Sequence, residues 1–296
     1  MAEDLRTVLR DARLLLEQER AWDDYVLADP PPPAASSPSS SSAAASRGPT
    51  SGADMDPPLK TAEDDGKTLA ALYERYKDCV ACPLGNTRIK FVFGVGNPGA
   101  QVMFIGEGPG YEEDRRGEPF VGKAGQLLDK ILAAIQLDRT KVYIANIVKC
   151  HPMANPETPE ARGNDRAPST FEAETCAPIL KQQIAIIQPR VIVTLGSPST
   201  RMILQTMEGI TKLRGRLVPF PVDKHYGAET TAAPALFGDD GNSKPAVALS
   251  PEQRVALQTI QVLPTYHPAA LLRNPHLKKD AWEDMKLLRD SLVPRF

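Results

Sequence analysis

The chain has 296 residues, of which 24% are charged and 42% are hydrophobic, with 35 Lys and Arg against 37 Asp and Glu. This length provides material for one large core, or for one domain with appendages. No run reaches the roughly 18 consecutive apolar residues of a membrane span. The first residues, Met-Ala-Glu-Asp-Leu-Arg, lack the layout of a secretory signal, which predicts a cytoplasmic protein with reduced cysteines.

Charge is unevenly distributed along the chain. Residues 1–66 hold 6 Lys and Arg against 13 Asp and Glu, a net charge of −7, whereas residues 67–296 carry a net charge of +5. A basic body is compatible with a polyanionic partner, and an ordinary soluble surface explains the charge equally well.

Composition divides the chain into three parts. Residues 1–28 contain an amphipathic helical pattern, and residues 29–66 are dominated by Pro, Ser, Ala and Asp. The second segment has too little apolar surface to offset its chain entropy and is predicted to be a disordered linker. Residues 67–296 form the predicted globular domain. The first helix is either a docking element for a protein partner or a loosely packed appendage.

The globular part alternates short apolar strands with amphipathic helices. A helix capped by Thr68 is predicted over Leu69–Asp78. Strands are predicted over Gln101–Ile105, Val142–Val148, Arg190–Leu195 and Ile260–Thr265. Further helices are predicted over Lys123–Ile135, Phe171–Ile187, Pro198–Met207 and His276–Leu292. This alternation predicts an α/β fold with a parallel sheet covered on both faces. Outside this pattern lie a hairpin-like segment over Gly209–Phe220 and surface insertions within 162–170 and 221–258.

The loop between the first of these strands and the following helix is the most unusual stretch of the chain. Residues 106–122 contain five glycines, two prolines, five carboxylates and two aromatic residues. A loop in this position lies at the carboxyl end of a parallel strand, where α/β sheets bind their ligands. We therefore predict an active-site loop, with an elaborate structural turn as the alternative.

Polar or special residues recur at the ends of all four predicted strands. They are Glu107, Asn146, Gly196 and His267. Carboxyl ends of parallel strands lie at one edge of a sheet, so these residues should meet in one crevice. Each has a simpler explanation when it is taken singly, such as an edge asparagine or a hydrogen-bonded surface histidine. Their coincidence favours a common site.

The four cysteines form a second set. Cys79 and Cys82 have the spacing of a metal-binding pair, and Cys150 and Cys176 are the remaining cysteines. Four thiolates can hold zinc or an iron–sulfur cluster, and the wide spacing of the second pair favours a cubane cluster over a compact zinc ribbon. His151 as a substitute ligand and four unliganded cysteines are the alternatives.

Five segments together resemble the family 4 uracil-DNA glycosylases. They are Cys79-x2-Cys82-Pro83-Leu84, Gly106-Glu107-Gly108-Pro109-Gly110, Pro119-Phe120-Val121-Gly122-Lys123-Ala124-Gly125, Asn146-Ile147-Val148-Lys149-Cys150 and His267-Pro268-Ala269. The resemblance covers nearly all of residues 67–292, and the match from Glu107 to Leu128 is its most specific part. It implies a three-layer α/β/α fold with a central four-stranded parallel sheet.

The resemblance also implies a cofactor and a base-binding pocket. The family's [4Fe–4S] cluster maps onto the set of four cysteines just described. The family's asparagine, which reads the edge of a flipped uracil, falls on Asn146, and its stacking aromatic residue falls on Phe120. An amide both donates and accepts, so it can pair with O4 and N3–H of uracil.

The implied reaction is hydrolysis of the N-glycosidic bond of deoxyuridine in DNA. His267 would stabilise the developing uracil anion at O2. Glu107 is the first choice and Glu113 the second for a carboxylate near the sugar. Gly108 and Gly110 would keep side chains away from the base. They stand where family 1 enzymes carry an Asp and a Tyr, so the side chains of those two residues are absent here.

Residues after His267 resemble the loop that wedges an apolar side chain into DNA. We expect Leu271 to be the wedge and Leu272 to lie in the core, with both in the core as the alternative. Arg214 and Arg273 are predicted phosphate contacts, together with Arg216, Lys278 and Lys279.

The predicted substrate is single- or double-stranded uracil-containing DNA, and the predicted protein is a monomer associated with a prokaryotic nucleoid. A covalently acting relative is disfavoured because Gly108 occupies the position of its glutamine. A non-catalytic DNA-binding or scaffolding module with a structural cluster is the alternative from another class.

Overall fold

The computed structural model describes residues 68–227, 247 and 249–292. The predicted N-terminal helix, the predicted linker and the middle of the predicted 221–258 insertion lie outside the described residues. None of the helices in the described ranges is long and apolar enough to cross a membrane.

The described residues form eleven helices and six strands. The helices are α1 (Leu69–Tyr76), α2 (Leu84–Thr87), α3 (Tyr111–Arg116), α4 (Lys123–Ala134), α5 (Thr170–Ile187), α6 (Ser197–Leu204), α7 (Ile210–Leu213), α8 (Val222–Tyr226), α9 (Pro251–Gln258), α10 (Pro268–Arg273) and α11 (Leu277–Leu292). The strands are β1 (Val95–Gly96), β2 (Val102–Gly106), β3 (Tyr143–Asn146), β4 (Val191–Leu195), β5 (Val218–Pro219) and β6 (Gln261–Thr265).

The six strands form one sheet in the order β1-β3-β2-β4-β6-β5. Its four central strands are parallel, because β2 pairs with both β3 and β4, and β4 pairs with β6. The α/β prediction is therefore confirmed, and these strands are the four predicted ones. Two-residue strands, β1 and β5, add an antiparallel edge on each side. Such short strands carry no alternation of polar and apolar residues from which they could have been predicted.

Helices cover both faces of the sheet, and alternate residues of β2 show how. Met103 and Ile105 contribute to one apolar cluster with residues of α5 and α6, whereas Val102 and Phe104 contribute to a second cluster with residues of α4 and α11. All four side chains are essentially inaccessible to solvent. A strand buried on both faces needs a continuous apolar run, which explains the composition of β2.

Two local details separate the structure from the sequence-based expectation. Residues 209–220 do not form a hairpin, because Ile210–Leu213 is a helical turn and β5 pairs with β6 instead. The 162–170 insertion ends in a well-capped helix start. Ser169 caps α5 by accepting from the backbone N–H of Glu172, whose carboxylate also pairs with Arg166 at 2.7 Å.

Candidate active site

The carboxyl ends of the parallel strands surround a cavity of about 270 Å³. Glu107 follows β2, Asn146 ends β3 and His267 follows β6, and all three line this cavity. The predicted convergence of these side chains is therefore present in the structure, although Gly196 packs behind it instead of lining it. The complete lining comprises Glu107, Gly108, Pro109, Gly110, Glu113, Phe120, Ala124, Asn146, Pro152, Asp165, Arg166, Pro168 and His267.

Asn146 presents an unsatisfied amide oxygen to this cavity. The residue is 2% exposed, and its Oδ1 has no hydrogen-bond partner within the described residues. Gly106 makes this position possible, since a Cβ there would lie 2.4 Å from Asn146 Oδ1 and 2.6 Å from Phe120 Cζ. Buried polar atoms are almost always paired, so an orphaned amide oxygen in a cavity indicates a ligand that donates a hydrogen bond.

The backbone of Phe120 is held by Arg139 and by close packing against α4. It has a φ of 56°, which is costly for a bulky residue. The guanidinium of Arg139 donates to the carbonyl of Pro119 at 3.1 Å and also to the carbonyl of Phe120. Gly125 lets the first turn of α4 approach this loop, because a Cβ there would clash with the Phe120 carbonyl oxygen. The Phe120 ring lies 5.5 Å from the His267 ring between centroids.

His267 is a neutral histidine with one N–H available to the cavity. Its Nδ1 accepts a hydrogen bond from the backbone N–H of Ala269 at 3.1 Å and thereby caps α10. The proton of the neutral ring must therefore reside on Nε2. Burial lowers the pKa of His267 to about 4, with a smaller contribution from the charge of Arg273. His267 can therefore act as a neutral donor at physiological pH.

The two predicted carboxylates have different environments. Burial raises the pKa of Glu107, and no hydrogen bond or ion pair joins its carboxylate to another described residue. Glu113 instead accepts from the backbone N–H groups of Gly110, Val121 and Gly122 at 3.2, 2.9 and 3.0 Å. Its carboxylate braces the active-site loop on the wall of the cavity, and its role as the second catalytic carboxylate stays a prediction.

The glycines of the loop pack closely against their neighbours. A Cβ at Gly108 would lie 2.8 Å from Val148 Cγ2, and one at Gly110 would lie 3.2 Å from Glu113 Oε2. Both glycines line the cavity, as predicted, and their missing side chains leave its wall formed by backbone.

Sequence reasoning missed a carboxylate that lines the cavity. Asp165 Oδ1 lies 2.6 Å from Nε2 of the buried His151, whose Nδ1 lies 3.7 Å from Asp114 Oδ2. Burial opposes protonation of His151, but the two carboxylates outweigh it and raise the pKa of this histidine. Asp165 was assigned to a surface insertion. A bridge between Met153 and Asp165 folds the insertion back onto the site, and no sequence signal marks that pairing.

Two residues predicted to contact DNA are buried or ion-paired in the structure. Leu271 is fully buried and Leu272 is 43% exposed, which reverses the predicted wedge and core residues. In α10, successive residues point about 100° apart, so only one of the two leucines can face the core. Arg214 pairs with the buried Asp284 at 2.8 Å and is not free to bind phosphate, whereas Arg273 is exposed.

The four cysteines lie close enough for their charges to influence one another, and none of them forms a disulfide within the described residues. Burial raises the pKa of Cys150 to about 11 and that of Cys176 to about 12, and the charges of neighbouring cysteines contribute to both shifts. In the described part of the chain, no three His, Cys, Asp or Glu side chains are grouped tightly enough for a single metal ion.

Four cysteine thiolates are a donor set that suits an iron–sulfur cluster or zinc. Arg88 donates to the Cys150 sulfur at 3.4 Å, a contact that would stabilise a metal-bound thiolate there.

Comparisons with known proteins agree with this geometry. Residues 93–286 match the model of the uracil DNA glycosylase superfamily. The chain is 37% identical over 231 residues to a type-4 uracil-DNA glycosylase of Sulfurisphaera tokodaii, covering 76% of this chain and 86% of the relative. It is 36% identical over 216 residues to the type-4 enzyme of Thermotoga maritima, and the match covers 72% of this chain and 88% of that relative. A similar enzyme of Saccharolobus solfataricus is 34% identical over 229 residues, covering 76% and 86%. The chain therefore belongs to the type-4 uracil-DNA glycosylases of the uracil DNA glycosylase superfamily.

Proposed function

We propose that this protein removes uracil from DNA by binding the extruded base in the 270 Å³ cavity and hydrolysing its N-glycosidic bond. The observation that carries the proposal is the buried, unpartnered amide oxygen of Asn146. It would accept N3–H of uracil while the amide nitrogen donates to O4. Cytosine presents the reverse pattern at these positions and would leave both amide groups unsatisfied.

The leaving group would be stabilised by His267. Breaking the bond between N1 and C1′ leaves its electron pair on uracil, and the charge develops at O2 and O4. The Nε2–H of a neutral histidine is suited to O2, because its proton remains in place as the charge appears. Phe120 would stack against the base beside this histidine, consistent with the 5.5 Å separation of the two rings.

Two carboxylates would serve the sugar side of the reaction. Glu107 projects into the cavity without a protein partner, so an ionised carboxylate there would stabilise positive charge on the sugar. Asp165 is oriented by His151 at 2.6 Å and is the second carboxylate on the wall. It would hold the attacking water, which adds to C1′ and releases a proton to a neighbouring acceptor.

DNA would be held at the rim of the cavity. The exposed Leu272 lies five residues after His267 in the chain and would enter the space left by the extruded base. Arg273, which follows it and is exposed, would contact a phosphate.

We assign the four cysteines to a [4Fe–4S] cluster, in agreement with the spacing and chemistry of the donor set. Bound there, the cluster would supply cross-linking between α5, the start of the domain and the segment after β3, which carry Cys176, the Cys79–Cys82 pair and Cys150.

The decisive experiment is cleavage of an oligonucleotide that contains one deoxyuridine. Full-length, anaerobically purified protein is incubated with the labelled strand, alone or paired opposite guanine or adenine, and abasic sites are then cleaved with alkali. We expect cleavage at uracil and none in a matched thymine oligonucleotide. Binding to the uracil strand without cleavage by iron-loaded protein would refute the proposal and favour a non-catalytic DNA-binding module.

A further inference from the structure

The loop between β3 and α5 brings Asp165 to the cavity, although most of this loop is exposed. Residues 154–167, here called the 154–167 loop, contain one buried side chain, that of Asn164; Pro159 is half-buried and the other residues are exposed. An exposed loop keeps one conformation only where contacts at several points restrain it. The place of Asp165 in the cavity wall therefore depends on the contacts that hold this loop.

Hydrogen bonds close the 154–167 loop on itself. The backbone N–H of Ala154 donates to the carbonyl of Asn164 at 2.8 Å. The Asn164 side chain accepts from the N–H of Asn155 at 2.7 Å and donates to the carbonyls of Asn155 and Thr158 at 2.7 and 3.1 Å. These bonds make the loop one compact unit, so a restraint at its tip is transmitted to Asp165, the residue after Asn164.

Tyr111, the first residue of α3, contacts the tip of this unit. The guanidinium of Arg162, at the tip, lies 5.1 Å from the centroid of the Tyr111 ring, and that of Arg115, on α3, lies 4.0 Å from it. A guanidinium over an aromatic ring is attracted by the ring's quadrupole. Arg162 also pairs with Glu112 at 3.2 Å, and Arg115 pairs with Glu160. The ring is therefore the centre of a contact that fastens the loop to α3.

The carboxylate of Asp165 lies between this contact and the core. Its Oδ1 is 2.6 Å from Nε2 of His151, whereas its Oδ2 has no hydrogen bond or ion pair to another described residue. Tyr111 directly follows Gly110, where a Cβ would lie 3.7 Å from Asp165 Oδ1. A shift of the loop away from α3 would therefore move the carboxylate relative to the active-site loop.

We propose that Tyr111 is a positioning residue that holds Asp165 in the cavity wall by fastening the 154–167 loop to α3. The inference rests on the proposed function, in which Asp165 holds the attacking water. Tyr111 is not among the residues that line the cavity, so it would act through Asp165. Because attack on C1′ requires a closely placed water, a small displacement of the carboxylate slows the chemical step and leaves binding of the base unchanged.

The test is a double-mutant cycle of Tyr111→Ala and Asp165→Asn in the full-length, anaerobically purified protein. Single-turnover cleavage of the uracil oligonucleotide gives the maximal rate and the half-saturating protein concentration of each variant. Tyr111→Ala should lower the maximal rate by at least about threefold and leave the half-saturating concentration within about twofold. Asp165→Asn should lower the rate by about 100-fold, and adding Tyr111→Ala to it should change the rate by less than about twofold.

Two variants control for the loss of an aromatic ring. Tyr111→Phe keeps the ring face and removes only the hydroxyl, so it should cleave at the wild-type rate. Tyr73→Ala removes a ring that packs 5.6 Å from the Phe93 ring and does not line the cavity, and it should also cleave at the wild-type rate. If Tyr111→Ala does not fold, the same cycle with Arg162→Ala decides, because the Arg162 side chain is 79% exposed.

The inference and the proposed function can fail separately. A decrease of less than about threefold for Tyr111→Ala, or a decrease that persists in Asp165→Asn, would refute the positioning role, while wild-type cleavage would still support the proposed function. Wild-type rates for Asp165→Asn, or slow cleavage by Tyr111→Phe, would refute it as well. A wild-type protein that leaves uracil in place would refute the proposed function, and the inference with it.

Discussion

Replacement of His267 by alanine tests the proposed chemistry most directly. The substitution removes the N–H that would stabilise the uracil anion at O2. Loss of one such donor in a preorganised site lowers kcat by about 10²- to 10³-fold, equivalent to about 3–4 kcal/mol. It also removes the cap of α10, where His267 Nδ1 accepts from Ala269 at 3.1 Å, and this should cost about 1 kcal/mol of folding stability.

A second variant separates these two effects. His267→Asn retains a side-chain oxygen that can cap α10, but the shorter amide does not reach the position of Nε2. We expect it to unfold at nearly the wild-type temperature and to cleave as slowly as His267→Ala. Single-turnover cleavage of the uracil oligonucleotide measures the chemical step, and thermal unfolding measures the cap.

The pH dependence provides an independent check of the histidine's charge. Because the pKa of His267 is lowered to about 4, the neutral ring persists throughout the range from pH 5 to 8. An unfolded histidine with a pKa near 6.5 binds a proton in that range, so acidification from pH 6.5 towards pH 4 should destabilise the wild-type fold. His267→Ala should lose this component. Cleavage by His267→Ala within about fivefold of wild type would refute the reasoning.

Five further substitutions probe other parts of the protein. Asn146→Asp should lower kcat/KM on uracil by at least about 100-fold, because a carboxylate cannot donate to O4 and repels the anionic product; unchanged steady-state kinetics would exclude the reading role. Leu272→Ala should weaken cleavage of double-stranded uracil DNA about tenfold and affect single strands less, whereas Leu271→Ala should lower the free energy of unfolding by about 2–5 kcal/mol, measured with denaturant. Glu107 must be ionised to stabilise the sugar cation, and burial raises its pKa above the ordinary value of 4.5. Activity should therefore decline on acidification at a pH above 4.5. The pH profile of kcat/KM for Glu107→Gln should lack this acidic decline. Cys82→Ala should lose the visible absorption and bound iron of a cluster, and a colourless, zinc-containing wild type prepared without air would contradict the cluster assignment.

The sequence predicts those features of the fold and site for which its residue pattern has a single physical explanation. The continuous apolar run of β2 required a strand buried on both faces, and the residues following four such strands had to meet at one edge of the sheet. Glu107, Asn146 and His267 therefore line one cavity, as expected. Phe120 was placed by resemblance alone, because nothing in its neighbours predicts a φ of 56°.

The sequence does not predict which side chains contact one another in the folded chain. Glu113 and Glu107 are both loop carboxylates, and only the folded loop shows that three backbone N–H groups bind the former. Arg214 resembled a free surface cation until its pairing with Asp284, 70 positions along the chain, was known. Asp165 reaches the cavity through a single bridge at the base of an insertion. Each outcome depends on a contact in the folded chain whose partner residue has no distinctive local pattern.

The cavity concentrates features that a fold selected only for stability would avoid. An amide oxygen without a partner, a half-buried carboxylate without a counter-ion, and a phenylalanine with positive φ surround the same small volume. Each costs free energy, whereas buried polar groups such as Gln183 and Asp284 are hydrogen-bonded, with Arg115 Nη1 and Thr175 Oγ1 as exceptions outside the cavity. Unfavourable features of this kind around one cavity indicate that a bound ligand compensates for them. A base that donates to Asn146 would satisfy the orphaned oxygen while stacking on Phe120 and accepting from His267, which is the specific reason to expect uracil here.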